Sequence, residues 1–302
     1  MEPILIQSPR SLGPVSCEPP IAYDKPFERV VSNHRLQLLY DRGIWCEGPA
    51  WWEKHQTLVF SDVRGRRTLG WRTDGSVRIL DDRSNFANGN AIDHRGDLIR
   101  CEHGGRRVVR WRKNKVDVLA DRYAGKHLNS PNDLLVARDG AVWFTDPTFG
   151  IEDPREGYPA TPELSHTSVY RWSEQGGLQR MTDVDQPNGI AFSPDESRLY
   201  VTQTPTDGRP PEIAVYDWDR NALRNRQTFA RVPDGQADGI AVDARGWLWA
   251  SSGSGVVVYD PSGKLIGKIP TPHLTSNCTF DTTQSRLFIT GREALWMIRL
   301  AA

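Results

Sequence analysis

Long apolar runs are missing from this chain of 302 residues. No stretch approaches the ~18 apolar residues needed to cross a bilayer. Excess charge is missing too: 38 basic and 38 acidic residues cancel. That balance argues against a nucleic-acid surface or a polybasic membrane patch. Cysteine is scarce, and Cys17, Cys46, Cys101 and Cys278 form no CxxC pair, so free thiols in a reduced, cytoplasmic protein are expected. The N-terminus has neither a basic segment nor a long apolar core, so no secretion signal is read there. Without one, the sequon Asn277-Cys278-Thr279 carries little weight. Helical periodicity is nearly absent. What is plentiful is 26 Gly, 21 Pro and 11 Trp, a mixture suited to many short strands joined by tight turns.

Residues 1–28 are rich in Pro and polar side chains and read as an N-terminal extension that wraps the surface or is partly disordered. From residue 29 to 302 one domain is expected, because six segments align. They begin at Glu47 (EGPAWW), Asn88 (NGNAID), Asn132 (NDLLVA), Asn188 (NGIAFS), Asp238 (DGIAVD) and Ser276 (SNCTFD), with spacings of 41, 44, 56, 50 and 38 residues. Each holds an apolar strand, a polar turn and a strand of β-branched and aromatic residues, and further strands follow. Four strands per 40–50 residues is the period of a propeller blade. An all-β, six-bladed β-propeller with four-stranded blades follows. The last repeat stops after three strands, and Leu36–Tyr40 is the expected fourth, closing the ring. The insert Gly150–His166, with Pro154, Pro159 and Pro162 and no strand pattern, reads as a rim or lid.

In a propeller the first strands line the central channel. The six residues that open them, Glu47, Asn88, Asn132, Asn188, Asp238 and Ser276, all carry side-chain oxygen. Turn chemistry accounts for Asn-Gly and Asp-Gly. It does not account for Glu47, nor for proline ahead of both Asn132 and Asn188. Carboxylate and amide oxygens suit a hard divalent cation, and two carboxylates would balance its charge. Asn88 and Ser276 are expected to line the pocket.

These motifs resemble the senescence-marker-protein/gluconolactonase family of six-bladed propellers, which includes regucalcin, luciferin-regenerating enzyme and bacterial lactonases. The resemblance covers roughly residues 35–300 and rests on Cys46-Glu47-Gly48-Pro49, Asn129-Ser130-Pro131-Asn132-Asp133, Phe144-Thr145-Asp146-Pro147, Gln186-Pro187-Asn188-Gly189 and Ala237-Asp238-Gly239. It implies metal ligation by Glu47, Asn132, Asn188 and Asp238, general-base catalysis by Asp238, and hydrolysis of a sugar lactone such as glucono-1,5-lactone. Ca2+ is the implied cofactor, with Mg2+, Mn2+ and Zn2+ as alternatives. Animal members carry an arginine where Ser130 stands here, so the match is closer to the bacterial gluconolactonases. Asn88, His103, Asn129 and Ser130 are the candidate substrate-binding residues. His127 and His166 read as loop residues, and Cys46 lacks a base partner. Whether Asp238 or a metal-acidified water supplies the base is open. So are two rival functions: hydrolysis of other esters or phosphotriesters on the same metal site, and a non-catalytic calcium-binding propeller. A sugar lactone is the expected partner, with no nucleic acid or membrane; monomer and dimer remain alternatives.

Overall fold

The computed structural model describes residues 3–8, 13–31, 34–112, 115–205 and 207–301. Six antiparallel sheets surround one axis, so the six aligned segments are the inner halves of six blades. Their first strands are Cys46–Trp52, Ala87–Ile92, Leu134–Val136, Pro187–Phe192, Ile240–Val242 and Asn277–Phe280. These strands touch their neighbours around the ring, and each blade then steps outward in chain order. The sixth blade obtains its outermost strand from the other end of the chain. Gln37–Tyr40 pairs with Ala294–Arg299, with Tyr40 opposite Leu295 and Leu38 opposite Trp296. This closure bears out the sequence expectation and leaves the ring without a gap for a seventh sheet.

The core lies between blades. One cluster joins the sixth blade to the first through Leu58, Phe60, Leu69, Trp71, Phe288 and Leu295, all buried. Trp51 stacks on Phe288 with ring centroids 5.7 Å apart. Trp172 and Trp218, from third strands, pack on the next such clusters, and Trp218 meets Trp143 edge-on at 4.9 Å. The tryptophans therefore glue sheets together.

The N-terminal segment is threaded into this architecture. Ile4–Gln7 adds a fifth strand to the first blade, along Val77–Asp81. Ile21–Ala22 does the same for the fifth, along Leu265–Pro270. Residues 1–2 and 9–12 lie outside the described part of the chain. A short helix, Lys25–Val31, follows and spans the 28/29 boundary read from the sequence. Asp24 caps it by accepting a hydrogen bond from the Phe27 amide at 2.9 Å. Seven residues are too few to show a helical period. The helix drives Phe27 into a pocket against Trp247 and Trp249. Gly267 forms its floor, where a Cβ would lie 2.1 Å from the phenyl ring. Phe27→Ala is expected to lower stability by about 3–5 kcal/mol in urea unfolding; an unchanged midpoint would show that the segment does not dock.

Candidate metal centre

The six oxygen-bearing residues sit where the inner strands begin. In three blades the ladder slips at this point, between Glu47 and Ala50, Ala87 and Asn90, and Pro187 and Ile190. In the third and fifth blades, Asn132 and Asp238 lie just ahead of the paired residues. A bulge or a free strand end re-aims a side chain that regular pleating would point at a neighbouring blade.

Backbone bonds between blades hold this level together. The Gly89 amide donates to the Asn132 carbonyl at 2.8 Å, Gly189 to Asp238 at 2.9 Å, and Gly239 to Ser276 at 2.7 Å. Hydroxyls add a second tie, each to the carbonyl of a residue in the following blade. Ser61 donates to Asn88, Thr145 to Asn188, Thr202 to Asp238 and Ser276 to Cys46, all at 2.7 Å. The blades approach so closely that a Cβ on Gly189 would lie 2.3 Å from the Asp238 carbonyl oxygen.

Glu47 is 3% exposed. It accepts from Trp45 Nε1 and from the Gly48 amide, both at 3.3 Å. The Asp238 side chain lies beside those of Glu47 and Asn188. Burial pushes both carboxyls far above the usual carboxylate range, and nearby Asp133 and Glu156 push them further. Asn132 and Asn88 each place Nδ2 3.3 Å from His103 Nε2. The structure thus gathers Glu47, Asn188 and Asp238, and joins Asn88, His103 and Asn132 by hydrogen bonds. Asn129 and Ser130 are fully buried, with their side chains turned to backbone. Asn129 Nδ2 donates to the His166 carbonyl at 3.0 Å, and Ser130 Oγ donates to Pro147 at 2.6 Å. They hold the ends of the insert rather than facing the ring of oxygens.

Two carboxylates pressed together in a buried site destabilise each other unless a proton or a cation intervenes. Among the described residues no three His, Cys, Asp or Glu side chains gather for a metal. A cation here would be held by Glu47 and Asp238 together with the amide oxygens of Asn132 and Asn188. That all-oxygen set fits a hard divalent ion. Cys46 is no rival nucleophile, because burial raises its thiol well above the usual range.

Three neighbours were not singled out from the sequence. Asp133 occupies the place held by glycine in four of the six repeats. It accepts from Asn277 Nδ2 at 3.3 Å, and burial lifts its carboxyl to about 6. That departure from the repeat was its visible signal. Glu156 reaches the site from the insert and pairs with Arg64 at 2.7 Å, and Arg64 lies over the Trp45 ring at 4.3 Å. Nothing local in the sequence announces this pair. A cavity of about 490 Å3 opens at the other end of the channel, where the inner strands finish at Trp51, Ile92, Val136, Phe192, Val242 and Phe280. None of the four proposed ligands lines it.

The family model for the SMP-30/gluconolactonase/LRE-like region matches residues 45–292. This chain belongs to that family. A gluconolactonase from Xanthomonas campestris is 53% identical in sequence, with a TM-score of 0.96, and the match covers 98% of this chain and 99% of the other. A gluconolactonase from Zymomonas mobilis is 32% identical over 84% of this chain and 78% of its own length. The fold is shared with luciferin-regenerating enzyme at a TM-score of 0.70 and 15% identity, covering 88% and 95% of the two chains. Together they bear out the resemblance read from the motifs and its leaning toward the bacterial members.

Asp146 supports the insert from below. It is fully buried, and one oxygen accepts the Asn129 amide at 2.9 Å. The other has no partner, and neither has Asn129 Oδ1. Burial raises its carboxyl to about 7. A raised folded-state value favours the protonated native form, so this contribution is complete below the unfolded value near 4 and is lost as pH rises toward 7. Asp146→Asn keeps an acceptor and stays neutral. Its unfolding midpoint relative to wild type is expected to rise between pH 4 and pH 7, by roughly a few kcal/mol in all. A pH-independent difference between the two proteins would refute that assignment.

Proposed function

We propose that this chain, a gluconolactonase-like lactone hydrolase, opens a sugar lactone such as glucono-1,5-lactone with a divalent cation held by Glu47, Asn132, Asn188 and Asp238. Ca2+ is the favoured ion on the chemistry of the donors. The observation that carries this reading is the proximity of two carboxyls, buried Glu47 and half-buried Asp238, among residues with amide side chains. When bound, such a cation supplies Lewis-acid polarisation of the lactone carbonyl and neutralises the two carboxylates.

The protein's own groups do the rest. Asp238 takes one proton from the attacking water on a carboxylate oxygen while the water oxygen bonds to the carbonyl carbon. The ring C–O bond then breaks. The proton passes to the departing ring oxygen, leaving the open-chain hydroxy acid. Asn188 and Glu47 flank Asp238. In this reading Asn88, and the Arg64–Glu156 pair at the edge of the insert, take sugar hydroxyls. Asn129 and Ser130 act one step back, by fixing the insert.

Hydrolysis followed in a pH-stat tests this reading. Glucono-1,5-lactone turnover is expected to vanish on chelation and to return with Ca2+ or another of Mg2+, Mn2+ and Zn2+. Asp238→Asn is expected to lower kcat by at least ~100-fold. Turnover indifferent to chelation, or hydrolysis of a phosphotriester with no lactone turned over, would overturn it.

A further inference from the structure

We propose that His103 is a positioning residue: a neutral imidazole protonated on Nδ1, it accepts hydrogen bonds from Asn88 and Asn132 and thereby turns both amide oxygens away from the ring. The inference rests on the reading of Asn132 as a cation ligand and adds what orients that ligand.

Three contacts define the imidazole. Nδ1 lies 3.2 Å from the Glu156 backbone carbonyl. A carbonyl only accepts, so Nδ1 carries a proton. Nε2 lies 3.3 Å from Nδ2 of both Asn88 and Asn132. Amide nitrogen only donates, so Nε2 offers a lone pair to two donors from adjacent blades. The ring is completely buried and makes no side-chain bond to a carboxylate among the described residues. An amide flipped by half a turn would set Oδ1 against the Nε2 lone pair, so the imidazole selects one orientation of each amide.

The insert provides the lock. Its Glu156 carbonyl chooses the tautomer, and its Gly150 packs on the imidazole so closely that a Cβ would lie 2.5 Å from His103 Cβ and 2.6 Å from Cγ. The loop between the third and fourth repeats is thereby wired to a ligand of the third blade through one ring of the second.

Two measurements test this. Long-range 1H–15N spectra of metal-free, 15N-histidine-labelled protein, with His103 assigned by its loss in His103→Gln, are expected to show a protonated Nδ1 and a bare Nε2. A proton on Nε2 would overturn the proposal, and wild-type protein suffices for this reading. Calorimetric Ca2+ titration is expected to show roughly 10–100-fold weaker binding for His103→Leu. His103→Gln, which keeps an acceptor oxygen, should recover most of that loss. Leu and Gln variants weakened alike would reduce His103 to packing and overturn the proposal. Wild-type protein that binds none of Ca2+, Mg2+, Mn2+ and Zn2+ would instead overturn the cation reading, leaving the tautomer to judge His103 alone.

Discussion

The inter-blade hydrogen bonds at the start of the inner strands are the constraint on which the rest depends. A glycine amide in one blade donates to the carbonyl of the oxygen-bearing residue in the next, at 2.7–2.9 Å in three of the six joints. Threonine and serine hydroxyls reach the Asp238 carbonyl as well, and add ties to those of Asn88 and Asn188. Asn132, Asn188 and Asp238 are therefore pinned by their own backbone to the blade beside them, and Glu47 through the carbonyl of Cys46 before it. A side chain on Gly89 or Gly189 would strike that carbonyl, and one on Gly239 the Asn277 side chain, so the repeated Gly after the oxygen donor is what lets the sheets close tightly. Where glycine is absent, Asp133 and Asn277 fill the remaining space and bond to each other.

Closure on that scale has an electrostatic cost. Burial raises the proton affinity of Glu47 and Asp238, and the nearby Asp133 and Glu156 raise it further. A fold that selected only for stability would replace such a cluster with apolar side chains. Its persistence beside neutral amide donors is the physical argument for a cation-dependent site. Arg64, the cation paired to Glu156, offsets one of these charges from the rim. The insert is thus both a cover for the site and a part of its charge balance.

Much of this can be read along the chain. The strand–turn–strand repeat survives because each blade needs the same alternation of channel, turn and inter-blade faces. The closing strand Gln37–Tyr40 shows itself because the sixth repeat ends one strand short. Glu47 stands out because turn chemistry does not explain it. Other features resist such reading for definite reasons. Ile4–Gln7 and Ile21–Ala22 are edge strands of four and two residues, and Lys25–Val31 is a two-turn helix; none is long enough to leave a period. Glu156 and Arg64 are 92 residues apart and meet only because the insert folds back over the first blade. Asn129 and Ser130 carry the family motif, yet Asn129 donates to the His166 carbonyl and Ser130 accepts the Gly150 amide, the two ends of the insert. A motif fixes which residues recur, and only the fold decides which way they point.

The central claim is that the four donors meet on one ion. Diffraction from crystals soaked in Mn2+, an anomalous scatterer with oxygen preferences close to those of Ca2+, tests it most directly. The account predicts a single channel peak, bonded to side-chain oxygens of Glu47, Asn132, Asn188 and Asp238. Lactone turnover that requires the metal, with no peak at these residues or a peak elsewhere in the molecule, would contradict it.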